Sequence, residues 1–192
     1  MTPEEAQEHL ATIRRVVDRS RAERARSGDI YVVWGVIVVL CDALTLGAAW
    51  MDVDYGWVSW PILGVAGAVW TAYTAYTRDL SRKTYGTRVE GAVWQATGVA
   101  IFLLLTGGMT SGALPLTAIV PLVSALVAVA MVTSGAVYST PLLTWSGWGM
   151  MATAAITLPL DWMAQYAIYG VAMVAFYIVP GVRLMRSERD AG

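Results

Sequence analysis

The chain is poor in charge. Only 14% of its 192 residues are Asp, Glu, Lys or Arg, where a soluble domain carries about 25%. At 57% hydrophobic residues it could not cover a water-facing surface, so lipid must solvate much of it. A single cysteine, Cys41, excludes an internal disulfide and, lying in an apolar run, says nothing of redox compartment. The single histidine, His9, belongs to the polar N-terminal segment and is expected to face solvent. With no histidine in an apolar stretch, neither a serine–histidine dyad nor a haem or zinc site can be built inside a membrane. No glycine-rich phosphate loop with its lysine follows a strand pattern. No apolar stretch carries two acids, as paired-carboxylate chemistry would want. The net charge of -1 supplies no basic patch for nucleic acid. These absences argue against an enzyme and predict no cofactor and no metal.

What is present is helical and apolar. Six stretches, 30–50, 57–76, 92–108, 117–138, 142–160 and 162–184, have the length of spanning helices, which need about 20 residues within a range of about 17–25. The third and fifth are the shortest. The predicted fold is therefore an all-α integral membrane protein, a compact bundle of six transmembrane helices over 30–184. Residues 185–192 form a tail.

Residues 1–29 are polar and lack the short apolar core of a signal peptide, so the first apolar run is expected to remain as an anchor. Thr2-Pro3-Glu4-Glu5 reads as a helix start: a capping hydroxyl, a proline at the first helical position and acids at the positive end of the dipole. Ala6, Leu10, Ile13 and Val17 then make a narrow apolar seam on a charged amphipathic helix. Two readings fit the seam and the arginines after it. The helix rests on anionic head groups, or it docks a partner or a second copy through about two heptads.

Orientation follows from Lys and Arg. All 13 lie in three groups, Arg14 to Arg26, Arg78 to Arg88 and Arg183 to Arg189. Alternating helices place all three groups on one side, which the positive-inside rule makes cytoplasmic. Both termini are thus expected in the cytoplasm, with the bundle in the cell membrane. The opposite loops hold Asp52, Asp54 and Asp161 and no base. A re-entrant hairpin at the uncharged link 139–141 would give four full spans and the same termini.

Small residues recur four apart at Gly64, Ala68 and Ala72, and again at Ala92, Ala96 and Ala100. Such rows let helix backbones approach closely in lipid, within one bundle or between copies. Seven of the nine Trp residues, Trp34, Trp50, Trp57, Trp60, Trp94, Trp145 and Trp162, lie near stretch ends as interface anchors. Trp70 and Trp148 lie deeper and are expected to pack between helices.

Asp42 is the most informative residue. It sits eight residues before Trp50, roughly 12 Å inside the first stretch. An ionisable group there costs several kcal/mol unless it finds water, a partner or a proton. No Lys, Arg or His inside the six stretches can pair with it. Three arrangements remain: a protonated Asp42 bonded to a neighbouring hydroxyl or indole, an Asp42 facing a wet cavity, or one paired with a cation from outside. In the second and third, Asp52, Asp54 and Asp161 form an acidic outer mouth. Glu90 and Gln95 are then candidate polar groups at the inner end. Otherwise Glu90 is solvated beside Arg88, and Gln95 bonds across helices.

The leading functional reading is a small non-enzymatic polytopic protein acting through interaction, as an accessory, regulatory or homo-oligomeric scaffold subunit. Its partners would be membrane lipids and either a second copy or another membrane protein. The alternative is a small cation- or proton-coupled transporter or channel built on Asp42. Transport requires Asp42 at a water-accessible cavity. Association requires it to be satisfied by hydroxyls or by another chain.

Overall fold

A computed structural model describes residues 28–53, 56–77 and 85–189. The predicted N-terminal helix with its seam Ala6, Leu10, Ile13 and Val17, and Asp54 of the acidic mouth, lie outside the described residues. Within them the chain is helical apart from short links. Helix α1 is described over Gly28–Trp50. A 3-10 turn, Gly56–Val58, leads into α2, Ser59–Thr77. Then come α3, Tyr85–Thr110, α4, Leu116–Val137, and α5, Pro141–Thr157. Helix α6 runs Trp162–Met173, passes through a π-helical turn Val174–Ile178 and finishes as Val179–Arg189. Pro180 follows that turn closely; lacking an N–H, it cannot complete a regular α ladder there.

Among the described residues four helices are long and apolar enough to cross a membrane: Gly28–Trp50, Gly86–Gly108, Leu116–Val137 and Trp162–Arg186. The other two of the expected six fall short of that length or hydropathy. α5 has 17 residues because it stops at Thr157 instead of Leu160, which makes it about 25 Å long. α2 has 19 residues, but its second half, WTAYTAYT, is too polar. α3 departs the other way, starting before its predicted bound and carrying Arg88 and Glu90 into the helix.

α4 and α5 run antiparallel. The α4–α5 pair is held most closely. Its link is a Schellman turn: Ser139 takes a left-handed φ of 50°, Thr140 N–H reaches Gly135 O at 2.8 Å, and Ser139 N–H reaches Ala136 O at 3.2 Å. Pro141 then opens α5 at a position whose N–H would be unpaired in any case. Glycines let the two backbones nearly touch. A Cβ on Gly135 would collide with the Thr144 backbone, and one on Gly147 would lie 2.8 Å from Val132 N. The α1–α6 pair has the same character. A Cβ on Gly28 would lie 2.7 Å from Gly181 O, and one on Gly35 would strike Ile178 and Tyr177.

α4 and α6 are the most enclosed of the four long helices and α3 the least. The core holds Val120, Val127, Met131, Met150, Tyr169 and Met173. α2 leans on α1 through Gly67 and Thr71, with Trp34 Nε1 donating to Thr71 Oγ1 at 2.9 Å. The surface is apolar: Val36, Leu40 and Leu44 of α1, Ile62 and Val65 of α2, and Phe102 and Leu103 of α3 are all exposed. Such a surface suits lipid and would aggregate in water.

The glycine contacts make a direct prediction. Gly147→Val should lower the stability of detergent-solubilised protein by about 1–3 kcal/mol through overpacking. Gly98→Ala, where a Cβ meets nothing within 4 Å, should not. Thermal unfolding of the two variants beside the parent chain measures the contrast.

Candidate functional site

Asp42 lies on the α1 face that begins with Gly28 and Gly35, each seven residues apart, and this face packs on α6. Where α1 has Asp42, α6 has Gly170: a Cβ built there would sit 3.5 Å from Asp42 Oδ2. Even an alanine there would meet the carboxyl at ordinary van der Waals distance, so α6 packs directly on Asp42. The side chain is 2% exposed, and neither oxygen has a hydrogen-bond partner. The hydroxyl of Thr45, one turn away on α1, donates to Cys41 O at 2.8 Å and accepts Trp60 Nε1 at 3.0 Å. Tyr166 and Tyr169 of α6 are close enough to feel the Asp42 charge, but neither bonds it. Two further buried polar atoms are unpartnered, Ser124 Oγ on α4 and Gln165 Oε1 on α6. Ser124 lies eight residues in from the start of α4, as Gly170 does from the start of α6, so Ser124 and Asp42 share a level in the bundle.

Of the three arrangements expected of Asp42, bonding to a neighbouring hydroxyl or indole is not met. A shallow cleft of about 440 Å³ lies elsewhere, at the α4–α5 link, bounded by Ser139, Thr140, Thr144, Trp145 and Trp148. Metal binding has no support either: among the described residues no group of three His, Cys, Asp or Glu side chains converges.

Glu90 departs furthest from expectation. It is not solvated beside Arg88 but 8% exposed. Tyr31 donates to its Oε1 at 3.0 Å and Tyr138 to its Oε2 at 2.6 Å. The carboxyl thereby ties α1 and the end of α4 to α3. Around it Tyr31, Trp94 and Tyr177 pack edge to face, with ring centroids 5.2–5.9 Å apart. Trp94 Nε1 donates to Ser134 Oγ at 3.1 Å, fixing the ring against α4.

The other predicted residues fall apart spatially. Asp161 caps α6, accepting from Met163 N and Ala164 N, and Asp52 is exposed with a φ of 56°. Gln95 is exposed on α3 and bonds no other helix. Of the small rows, Ala68, Ala72, Ala92 and Ala96 are exposed; Gly64 and Ala100 are half-buried, and a Cβ on Gly64 meets nothing within 4 Å. α2 packs instead through Gly67 and Thr71. Trp148, expected between helices, is 54% exposed. Trp34, Trp60 and Trp94, expected as interface anchors, donate to side chains of neighbouring helices. Sequence reasoning missed Tyr31, Tyr138, Tyr166, Tyr169 and Tyr177. Their signal was the spacing of the last three along one face of α6, opposite Asp42 and Gly35.

The two acids should respond oppositely to an apolar replacement. Asp42→Leu removes a buried group without partners and should raise thermal stability in detergent by about 1–3 kcal/mol. Glu90→Leu removes the shared acceptor of Tyr31 and Tyr138 and should lower it by about 2 kcal/mol or more. Two thermal melts decide, and stabilisation by Glu90→Leu would sink the assignment. No family model, no curated protein and no solved structure matches the chain, so a function must be argued from these residues.

Proposed function

We propose that this chain is a polytopic membrane protein that takes up and releases a proton at Asp42 as it carries protons across the bilayer. The observation that carries the reading is a carboxyl 2% exposed, with both oxygens unpartnered, deep in an apolar helix. A group of that kind costs several kcal/mol to keep there, and membrane proteins that retain one use it by default. A proton is preferred over a metal ion because it neutralises the carboxyl without a ligand shell. Calcium would need six or more oxygens, and among the described residues no group of three His, Cys, Asp or Glu side chains converges. The enclosed site corresponds to an occluded conformation, and transport would require α1 and α6 to part at Gly170.

In this reading all six helices cross the membrane, with α2 and the short α5 completing the bundle against the four longer ones. Exposed Arg88, Arg183 and Arg186 lie at one end and Asp52 and Asp161 at the other. The basic end faces the cytoplasm by the positive-inside rule, with both termini there and the bundle in the cell membrane.

Purified protein in liposomes with a trapped pH dye should acidify the interior when a potassium diffusion potential is applied. Asp42→Asn should reduce the rate about a hundredfold, the scale of losing a positioned proton-transfer group. Equal rates for the parent chain and Asp42→Asn would end the proposal.

A second reading, association through the membrane, is favoured by a separate observation. Ala92 and Ala96 flank exposed Gln95 on the outward side of α3, and small residues beside a polar amide suit helix pairing in lipid. Mass determination in native lipid tests it. A complex that dissociates on Gln95→Leu with Ala96→Leu supports the reading, and a monomeric parent chain removes it.

A further inference from the structure

Two carboxyls are buried in this bundle, at different levels. Tyr31, which holds Glu90, lies eleven residues before Asp42 on α1, about 16 Å along the helix axis. The core between them is lined by tyrosines. Tyr166 and Tyr169 precede Gly170, which packs on Asp42, by four residues and one on α6. Tyr177, set into the core by the π-helical turn, lies edge-on to Tyr31 at 5.2 Å. Tyr31 in turn donates to Glu90 Oε1, while Tyr138 donates to Oε2 from the end of α4. All five tyrosines are buried. A hydroxyl both accepts and donates, so a line of them carries protons where a line of apolar side chains could not. Neither Tyr166 nor Tyr169 bonds Asp42, so water must join the line at its start as well as at its middle. Between Tyr169 and Tyr177 the buried residues of α6 are Ala172 and Met173, which form an apolar layer of the core with Met131 and Met150.

We infer that Glu90, gripped by Tyr31 and Tyr138, is the second station for the proton held at Asp42, serving the basic end of the bundle across the methionine layer. The inference rests on the proton-coupled reading of Asp42. When water bridges the layer, the proton leaves the Asp42 carboxyl and passes along that water to the Tyr177–Tyr31 pair. Tyr31 gives its phenolic proton to Glu90 Oε1 and takes another on its own oxygen. Tyr31 thus ends neutral, Asp42 has lost one proton and Glu90 has gained one. Release follows at the basic end, where Tyr138 contacts the other oxygen. Exposed Arg88 lies two residues before Glu90 on α3, and Arg183 and Arg186 lie at the same end of α6. The two-bond grip does more than fasten helices: it holds one carboxyl oxygen toward the core and presents the other to the end of α4.

The liposome assay with the full chain tests this, each variant first being checked for a cooperative melt in detergent. Glu90→Gln keeps the size of the side chain and an acceptor oxygen but cannot exchange a proton as a carboxyl does. Its flux should fall about a hundredfold, like that of Asp42→Asn. Tyr31→Phe keeps the ring and its packing while removing the relay hydroxyl, and should fall about tenfold or more. Glu90→Asp should recover part of the flux. Wild-type flux in folded Glu90→Gln, with flux lost in Asp42→Asn, overturns this inference and leaves the Asp42 reading standing. Wild-type flux in both variants overturns the two together. Should Glu90→Gln fail to fold, Tyr31→Phe decides: wild-type flux there removes the relay.

Discussion

The close antiparallel approach of α1 and α6 is the constraint on which the rest of the bundle depends. Two apolar helices gain little hydrophobic energy by meeting in lipid, which is as apolar as they are. What holds them is contact at short range, and contact is closest where no side chain intervenes. Gly28 against Gly181 and Gly35 against Ile178 supply that approach. Once the crossing is fixed, every further position on the seam is determined by helical spacing. Tyr31 meets Tyr177, and Asp42 meets Gly170. The buried acid is thus placed by glycines seven and fourteen residues away, which never touch it.

Inside such a bundle polar groups have few choices, and most resolve them locally. Thr45, Thr71, Thr153 and Thr157 each return a hydroxyl proton to the carbonyl four residues back. Gln165 gathers three carbonyls from the ends of α4 and α5, at Thr117, Thr157 and Leu160. Trp34, Trp60 and Trp94 each find an oxygen on a neighbouring helix. Against that background the isolation of Asp42 is not a general looseness of packing. The same core that provides partners for its threonines and indoles provides none for this carboxyl. Of the unpartnered buried atoms among the described residues, only those of Asp42 belong to an ionisable group, and an unsatisfied acid inside an otherwise well-bonded interior is where function is expected to reside.

How much of this could be read beforehand depends on whether a feature is a property of one helix or of two. The helical class, the stretch around α1 and the importance of Asp42 follow from composition and from the energy of a charge in hydrocarbon, both single-helix properties. Which face of α2 turns inward is a two-helix property. The row Gly64, Ala68 and Ala72 looked made for packing, yet the Gly67–Thr71 face was taken, because Thr71 gives Trp34 a partner that an alanine row cannot. Glu90 was hidden for a related reason. Read beside Arg88 it belonged to a polar loop, but the helix starts early enough to carry it under Tyr31 and Tyr138, which lie 59 and 48 residues away in sequence. The end of α5 at Thr157 and the π-helical turn before Pro180 depend on backbone details that hydropathy does not carry.

The two acids differ in a way that gives the bundle a direction. A carboxyl that accepts two phenol hydroxyls loses them when it moves, so Glu90 is bound to the geometry of α1, α3 and α4. Asp42 has no such bonds to lose, and on α6 it meets Gly170. Separating α1 from α6 at the level of Asp42 therefore breaks no side-chain hydrogen bond of the carboxyl, while moving α1 at the level of Glu90 would strain the Tyr31 contact. Motion that admits water should begin at the level of Asp42 and stop short of Glu90, with the buried methionines dividing the part that opens from the part that stays closed. Asymmetry of this kind is what alternating exposure of a proton site requires: one carboxyl free to change its surroundings and another held where the proton must arrive.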